Sequence, residues 1–373
     1  MSLRERDRAG TRQRVRLTVA GVTVAGVVAA AGLALQPSPA ALAAPAPAIP
    51  VGCSAGDLAA AVSGAPSGTV LALAPRCRYV LSSGLEVTTS VTIKGNGDTI
   101  TAGVSGPPIL LFVDAGAAAR MDGLTLRNGA PAIGNEGTLT VTGSAFTGNA
   151  GAIGNSGTLT VTGSTFTRNA GAIGNGGTLT VTGSTFTKNS SPHEGGAIDN
   201  GPYASITVTG STFSRNSSNG GGAISTRNGQ GTLTDDRFTG NTAGGGGGAV
   251  LNDCREHENG PCGTFAISGS TFAGNTAAAG GAIVNDFTLT VADSTLTGNA
   301  ATDPVSGYGG GLDNLGTGRA ALTNTAITGN QASVDGGGAY TAEGGFVALT
   351  RTQVRSNTPD NCAPSSSIAG CAG

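Results

Sequence analysis

The chain reads AIGNEGTLTVTGSAFTGNAG at residues 132–151, AIGNSGTLTVTGSTFTRNAG at residues 152–171 and AIGNGGTLTVTGSTFTKNS at residues 172–190. These near-identical copies follow one another at a spacing of 20 residues. So short a period indicates a solenoid, because a propeller blade needs about 40 residues and a helical repeat about 33. Leucine-rich repeats reach down to about 20 residues, but their leucine framework is absent here.

Within a copy, apolar and polar side chains alternate with a period of two, which is typical of a half-buried strand. In TLTVT, Leu139 and Val141 share one face and the threonines share the other. SAFTGN and AIGN predict two further short strands, with Phe146 and Ile133 pointing inward. Gly and Asn separate the strands and leave no stretch long enough for a helix. Three short strands in 20 residues predict one coil of an all-β, parallel β-helix, in which each coil pairs with its neighbours.

The repeat continues in longer copies, which gives nine copies over residues 132–358. The later copies begin at Ala197, Ala223, Ala249, Ala282, Gly311 and Ala339. The added residues follow either the FxxN or the AIxN segment, so we expect loops at these two turns. The Phe position of successive copies predicts a stacked core column.

An Asn stands three residues after the Phe position in every copy. These nine are Asn149, Asn169, Asn189, Asn216, Asn241, Asn275, Asn299, Asn330 and Asn357. A second Asn follows the Ile by two residues in seven copies, namely Asn135, Asn155, Asn175, Asn200, Asn252, Asn285 and Asn314. One interpretation of such Asn columns is a ligand groove, but we interpret both Asn columns as structural. Asn tolerates the left-handed conformation of tight turns, and stacked amides bond from coil to coil.

The first 43 residues are typical of a secretory signal. Six arginines precede an uncharged stretch from Leu17 to Leu35, and Ala41-Leu42-Ala43 supplies small residues before the cut. We expect cleavage after Ala43 and a secreted, extracellular protein with no stable membrane insertion. The alternative is an uncleaved anchor, because 19 apolar residues can just span a bilayer.

The remaining segments divide into a Pro/Ala linker at 44–52, an N-terminal cap with irregular first coils at 53–131, and a C-terminal tail at 359–373. A short amphipathic helix over Asp57–Val62 is suited to closing the open end of the solenoid.

Six cysteines lie on the exported side: Cys53, Cys77, Cys254, Cys262, Cys362 and Cys371. Six cysteines allow 15 connectivities. Distant coils of a solenoid cannot touch, which favours the pairs Cys53–Cys77, Cys254–Cys262 and Cys362–Cys371. A metal site is disfavoured, because there is no CxxC and the two histidines, His193 and His257, are far apart.

The motifs Gly195-Gly-Ala-Ile198 and Gly280-Gly-Ala-Ile283, which alternate with FxxN segments such as Phe213–Asn216, resemble the GGAI and FxxN motifs of polymorphic outer membrane protein repeats. Residues 53–373 resemble bacterial secreted right-handed parallel β-helix proteins of the pectin-lyase-like superfamily. This resemblance implies the fold more than the function, because the fold hosts lyases, hydrolases and adhesins.

Catalysis would need acidic residues on one outer face of consecutive coils. Asp253, Asp286 and Asp313 are outward positions on three successive coils and form a candidate acidic patch. Such a patch suits a calcium-assisted lyase or a two-acid glycosidase, with Arg255, Glu256, His257 and Glu258 in the adjacent loop. The competing interpretation is turn chemistry, since Asp beside Asn is common in turns. We name no catalytic residues, and calcium is the one cofactor that the patch suggests.

A third hypothesis is ice binding by an outward grid of threonines in three coils. The grid consists of Thr138, Thr158 and Thr178, Thr140, Thr160 and Thr180, and Thr142, Thr162 and Thr182. Threonine is also a plain strand former.

The function that these patterns favour is a secreted structural or interaction module, a monomer that binds glycans or proteins of a cell surface. A net charge of −2 gives no electrostatic case for nucleic acid. The alternatives are a polysaccharide-active enzyme that uses coils 249–330, and the ice-binding protein.

Overall fold

The chain folds into a right-handed parallel β-helix, as predicted. The computed structural model describes residues 48–103, 109–254 and 262–371. The predicted signal segment, most of the linker and the loop residues 255–261 lie outside the described residues. Two ladders of strands, ladder 1 and ladder 2, form a 24-stranded sheet, ladder 3 is a 12-stranded sheet and ladder 4 is a 5-stranded sheet.

Ladder 1 holds the TLTVT-type strands, and ladder 2 holds the FxxN-type strands. Ladder 1 consists of Ile49–Val51, Thr69–Leu73, Val91–Ala102, Ala118–Arg127, Thr138–Thr142, Thr158–Thr162, Thr178–Thr182, Ser205–Thr209, Gln230–Thr234, Thr264–Ser268, Thr288–Ala292, Arg319–Thr323, Phe346–Thr350 and Ile368–Ala369. Ladder 2 consists of Arg78–Leu81, the later parts of Val91–Ala102 and Ala118–Arg127, then Ala145–Thr147, Thr165–Thr167, Thr185–Thr187, Thr212–Ser214, Arg237–Thr239, Thr271–Ala273, Thr295–Thr297, Ala326–Thr328 and Gln353–Arg355.

Ladder 3 holds the AIxN-type strands. In the longer coils, the chain passes from ladder 2 through a short strand of ladder 4 before it enters ladder 3. Ladder 3 consists of Leu85–Val87, Leu111–Val113, Ile133–Asn135, Ile153–Asn155, Ile173–Asn175, Ile198–Asn200, Ile224–Arg227, Val250–Asp253, Ile283–Asn285, Leu312–Asn314, Ala339–Thr341 and Cys362–Ala363. Ladder 4 consists of Ser217–Ser218, Thr242–Ala243, Thr276–Ala277, Ala300–Ala301 and Gln331–Ala332. The residues added after FxxN therefore build a fourth ladder, where the sequence predicted only loops.

Equivalent residues of successive coils pair in register, so each inward position becomes a buried column. Phe146 and Phe166 stack with ring centroids 4.7 Å apart, and the stack continues through Phe186, Phe213, Phe238 and Phe272. The spacing matches the rise between paired strands, so the rings pack face to face along the axis.

The FxxN asparagines form a second buried column. Asn189 donates from Nδ2 to Oδ1 of Asn216 at 3.0 Å, and its own Oδ1 accepts from Nδ2 of Asn169 at 2.9 Å. The Asn itself does not take the left-handed conformation that we expected of it. The residue before each of the nine does, for example Lys188 with φ 55° and Gly240 with φ 61°. The Asn is thus selected for its amide and its neighbour for the turn.

The paired glycines of GGAI have two separate causes. Gly221 has φ +62°, a left-handed conformation that favours glycine. A Cβ on Gly222 would overlap the backbone carbonyl oxygen of Gly248 in the next coil. The first glycine therefore permits the turn, and the second permits the close approach of neighbouring coils.

The helix Ala55–Ser63 closes the N-terminal end, as predicted. Ser54 and Asp57 form a capping box, in which the Asp57 N–H donates to Ser54 Oγ at 3.0 Å. Leu58 and Val62 are buried against the first strands. The predicted C-terminal tail extends ladders 3 and 1 with two short strands joined by the 3-10 helix Ser365–Ser367.

The three favoured disulfides are present, with Cα atoms 5.3 Å apart for Cys53–Cys77, 5.7 Å for Cys254–Cys262 and 6.5 Å for Cys362–Cys371. Over the described residues, the structure contains no helix of the length and apolarity that a membrane crossing requires.

Candidate functional site

Ladder 3 carries a groove because its outward column lacks side chains in the regular coils. The residue after each inward Ile points outward, and it is glycine at Gly134, Gly154 and Gly174. Side chains return at Asp199, which pairs with Gly174 in register. The outer face is therefore open at Gly154 and Gly174, whereas the Phe112 side chain covers Gly134. The carboxylate of Asp199 closes the open stretch at its other end.

The groove has a volume of 250 Å³ and passes over four successive coils. Its length is roughly 14 Å, from three rises of about 4.8 Å. Gly154 and Gly174 line its floor, and the turn residues Pro131 and Gly171 line its side. His193, Glu194 and Asp199 line the end at which the side chains return. The groove thus combines a floor of exposed backbone with a charged end.

A network of charges holds that end together. Arg227 approaches both carboxylates, with Nε 3.3 Å from Oε2 of Glu194 and Nη2 3.5 Å from Oδ2 of Asp199. The Ser225 hydroxyl donates to the same Oε2 of Glu194 at 3.2 Å. The other oxygen of Asp199, Oδ1, is buried without a hydrogen-bond partner.

The two carboxyl groups sit in different environments. Burial raises the pKa of Asp199 above its ordinary value, the charge of Arg227 opposes that rise, and Glu194 adds to it. A carboxyl group in a groove whose pKa is raised by burial and opposed by a specific charge partner is a pattern found at functional sites.

The predicted acidic patch is split by the register of ladder 3. Asp253 and Asp286 follow the paired residues Asn252 and Asn285, so they occupy equivalent positions of adjacent coils. Asp313 stands two positions earlier in its strand, where it pairs with Val284 on one side and Tyr340 on the other. The three carboxylates therefore do not form one column. Within the described residues, no group of three or more His, Cys, Asp or Glu side chains is arranged to hold a metal ion.

Asp313 is nevertheless unusual, because it is 1% exposed and its Oδ1 has no hydrogen-bond partner. Burial alone raises its pKa to about 7. The adjacent loop residues Arg255, Glu256, His257 and Glu258, which we singled out with the patch, lie outside the described residues.

The buried Asp236 has a structural role. It replaces the Ser that other copies place between ladders 1 and 2, and it accepts from the N–H groups of Ser211 at 2.7 Å and Thr234 at 3.1 Å. In the regular coils a Ser hydroxyl does the same work, as when Ser164 Oγ accepts from the Ser144 N–H.

The threonine grid extends further than three equal coils. Thr180 pairs with Thr207, and Thr207 with Thr232, because the added residues lie in turns and leave the strands in register. This grid covers the outer face of ladder 1.

Charge is distributed unequally between the ladders. Arg227 is the one Lys or Arg within the described strands of ladder 3, and Arg168 and Lys188 lie in turns that enter these strands. The acidic residues of the described ladder 3 strands and their adjoining turns are Glu86, Asp114, Glu136, Glu194, Asp199, Asp253, Asp286, Asp303, Asp313, Asp335, Glu343 and Asp360. The outer face of ladder 3 is therefore acidic.

Residues 183–201, 210–227 and 237–253 match the family model of the Chlamydia polymorphic membrane protein (Chlamydia_PMP) repeat. Each matched segment spans an FxxN turn and the ladder 3 strand that follows it. The resemblance of the GGAI and FxxN motifs to polymorphic outer membrane protein repeats is thereby confirmed for these three segments. The groove end, at His193 to Asp199, lies inside the first matched repeat.

The chain is also similar to a solved structure, "Crystal structure of pectate lyase Pel9A", at 12% sequence identity and a TM-score of 0.39. The similarity covers 84% of this chain and 75% of that chain. No curated protein matches the sequence.

The sequence did not predict the groove or the charged cluster at its end. The signal was a run of outward glycines that ends in Asp, and it was visible in AIGN, AIGN, AIGN and AIDN.

Proposed function

We propose that the protein is a secreted binding module whose ladder 3 face holds an extended glycan. The observation that carries the proposal is the open groove over Gly154 and Gly174, which ends at the carboxylates of Glu194 and Asp199.

A floor of glycine backbone suits a polyhydroxylated chain, because backbone groups and carboxylates can both bond to sugar hydroxyls. A length of roughly 14 Å admits a short stretch of an extended polymer rather than a compact small molecule. The acidic character of the face disfavours polyanionic ligands, nucleic acid among them. These features support a neutral or cationic glycan.

Secretion belongs to the same proposal. It rests on the signal-like residues 1–43 and on three disulfides, which persist in oxidising compartments.

The test is retention of the secreted protein on a panel of insoluble neutral, cationic and anionic polysaccharides, with a groove-blocking variant. Gly174→Leu suits this purpose, because a Cβ at Gly174 meets nothing within 4 Å and the backbone is not left-handed. Thr180→Leu places the same leucine on the outer face of ladder 1 in the same coil and is the control.

We expect the parent and Thr180→Leu to be retained by at least one polysaccharide, and Gly174→Leu to be lost from it. Equal retention of all three proteins would exclude the groove, and no retention of the parent would favour a protein-binding or structural role.

A second candidate is glycan cleavage, which the two neighbouring carboxyl groups of Asp199 and Glu194 at the groove end favour. Two-acid glycosidases pair a protonated acid with an ionised carboxylate. The same incubations would then release new reducing ends, and Asp199→Asn or Glu194→Gln would stop the release.

A further inference from the structure

Tyr308 and Tyr340 form a stacked pair on the last coils of the ladder 3 face. Their ring centroids are 4.4 Å apart and their planes differ by 26°. Tyr340 is the outward residue of strand Ala339–Thr341, and Tyr308 lies in the turn that enters the preceding strand. Both residues are partly exposed. Such a pair offers a flat apolar surface with negative ring faces.

The carboxyl group of Asp313 lies beside this pair. Asp313 pairs with Tyr340 in register, and the backbone of Gly309, next to Tyr308, packs directly against it. The carboxyl is buried, and its Oδ1 has no hydrogen-bond partner. A buried polar atom without a partner is costly, so its retention needs a reason.

Two further carboxyl groups lie near the pair, and burial together with a hydrogen bond to the Asp335 side chain raises the pKa of Asp360. The Gly336 N–H donates to Oδ1 of Asp360 at 2.9 Å and to Oδ1 of Asp335 at 3.1 Å. Asp335 itself bridges to Tyr308 through the backbone. Burial raises the pKa of Tyr340, and the nearby Tyr308, Asp313 and Asp335 raise it further, which marks the surroundings as negative.

No basic side chain offsets this charge within the described residues. The ion pairs found there join Arg120 to Asp122 and Arg227 to Glu194 and Asp199, and none includes Asp313, Asp335 or Asp360. Stacked aromatic rings beside uncompensated carboxyls are complementary to a cation that also carries an apolar face.

We propose that Tyr308, Tyr340 and the neighbouring aspartates bind an amino-sugar unit of a deacetylated glycan. The C–H face of the sugar ring packs on the tyrosines, and its ammonium group faces Asp313 and Asp335. A sugar unit of this kind carries both the apolar face and the positive charge that the site requires. The proposal rests on the glycan-binding role of ladder 3, and it names the ligand class and a second subsite on the same face.

The test is calorimetric titration of the full secreted protein at low ionic strength with two matched probes, a glucosamine hexamer and an N-acetylglucosamine hexamer. The probes differ in the ammonium groups and share the sugar backbone. We expect the glucosamine hexamer to bind about tenfold more tightly or better, the scale of a cation–π contact with a charge partner. Equal affinity for both probes would overturn the proposal.

Variants locate the site. Tyr340→Leu keeps apolar bulk and removes the ring, and Asp335→Asn keeps shape and removes charge. Each should weaken binding of the glucosamine hexamer about tenfold. Asp253→Asn removes the same charge from the same face away from the tyrosines, and its affinity should equal that of the parent. If Asp253→Asn lowered the affinity for the glucosamine hexamer as much as Asp335→Asn does, the binding would be explained by general electrostatic attraction to the acidic face.

Two further measurements distinguish binding at the tyrosine pair from binding in the groove and from binding of any cationic chain. Gly174→Leu should leave binding of the glucosamine hexamer intact even where it removes retention on a neutral polysaccharide. A hexalysine peptide should not compete, because it lacks the sugar face, and competition at equal concentration would overturn the sugar assignment. Since Tyr308 lies in a turn, Tyr308→Leu serves as the second aromatic variant if Tyr340→Leu unfolds.

Discussion

The side-chain amide of Asn189 donates to Oδ1 of Asn216, 3.0 Å away in space and 27 residues along the chain. Asn189 also donates to the Phe166 carbonyl oxygen at 3.0 Å, and its Oδ1 accepts from the backbone and side-chain N–H groups of Asn169. Each amide therefore joins three coils and leaves none of its four bonding positions unused.

Removal of one amide from this column should destabilise the fold severely. Asn189→Ala removes four buried hydrogen bonds, at about 1 kcal/mol each, so we expect a loss of about 4 kcal/mol. Phe186→Ala, in the adjacent aromatic column, should cost about 3–5 kcal/mol. Urea unfolding of both variants measures these losses. Exposed Thr185→Ala in the same coil is the control, and stability equal to the parent for Asn189→Ala would show that the column is dispensable.

The second glycine of GGAI should tolerate no side chain. In Gly222→Ala the added Cβ would overlap the Gly248 carbonyl oxygen, which forces neighbouring coils apart. We expect a loss of roughly 3 kcal/mol, the upper range for overpacking. Gly174→Ala is the matched control, because the space around its Cβ is open and its φ is not left-handed. A urea midpoint for Gly222→Ala that equals the control would contradict the close approach of these coils.

Much of the fold was predictable because a 20-residue period repeats the same residue at the same place in each coil. Phe146, Phe166 and Phe186 had to stack once the strands paired in register. The left-handed turn residues were assigned one position too late, since Asn and the residue before it are both acceptable there. Only the bond from Asn189 to Asn216 shows what the Asn does.

The candidate site was harder to predict, because its charges come from different coils. Glu194 lies in a turn, Asp199 in the strand that follows it and Arg227 at the end of the next ladder 3 strand. Their convergence depends on the path of residues 191–195, which no period determines. Asp253 and Asp286 share one column of the predicted face, and Asp313 lies two residues earlier in its strand, in the neighbouring column.

The N-terminal segment predicts processing on export. The protein collected from the culture medium should begin at Ala44, because small residues at Ala41 and Ala43 favour cleavage there. N-terminal sequencing and the intact mass measure this. Ala43→Arg should block cleavage and leave the precursor with the cells. A membrane-bound product with its original N-terminus would instead support an uncleaved anchor.

The carboxylates of the predicted acidic patch should differ in their effects. Asp253→Asn and Asp286→Asn should change stability by less than about 0.5 kcal/mol, because both positions are partly exposed. Asp313→Asn should stabilise the protein at about pH 8, because it removes a buried charge. Urea unfolding of the three single variants measures these changes in stability. Equal changes for all three would indicate that the carboxylates act as a single patch.

The buried carboxyl of Asp236 should make the stability of the protein depend on pH. A single substitution of Asp236 should reduce this pH dependence. Burial raises its pKa from 3.8 to about 7, against the two backbone N–H groups that favour the ionised form. A raised pKa in the folded state means that the folded protein binds more protons between these two values. The contribution of Asp236 to stability is therefore full below pH 3.8 and is lost as the pH rises to about 7.

Replacement by the Ser of the other copies removes the titrating group and keeps the acceptor. Asp236→Ser should match the parent near pH 4 and exceed it near pH 8, by on the order of 4 kcal/mol at most. Urea unfolding at three values of pH gives the difference directly. Asp235→Ser is the control, since Asp235 is the exposed neighbour in the same turn. A gain for Asp236→Ser that is constant with pH would mean that Asp236 remains ionised in the folded protein and that its two N–H donors offset the cost of its burial.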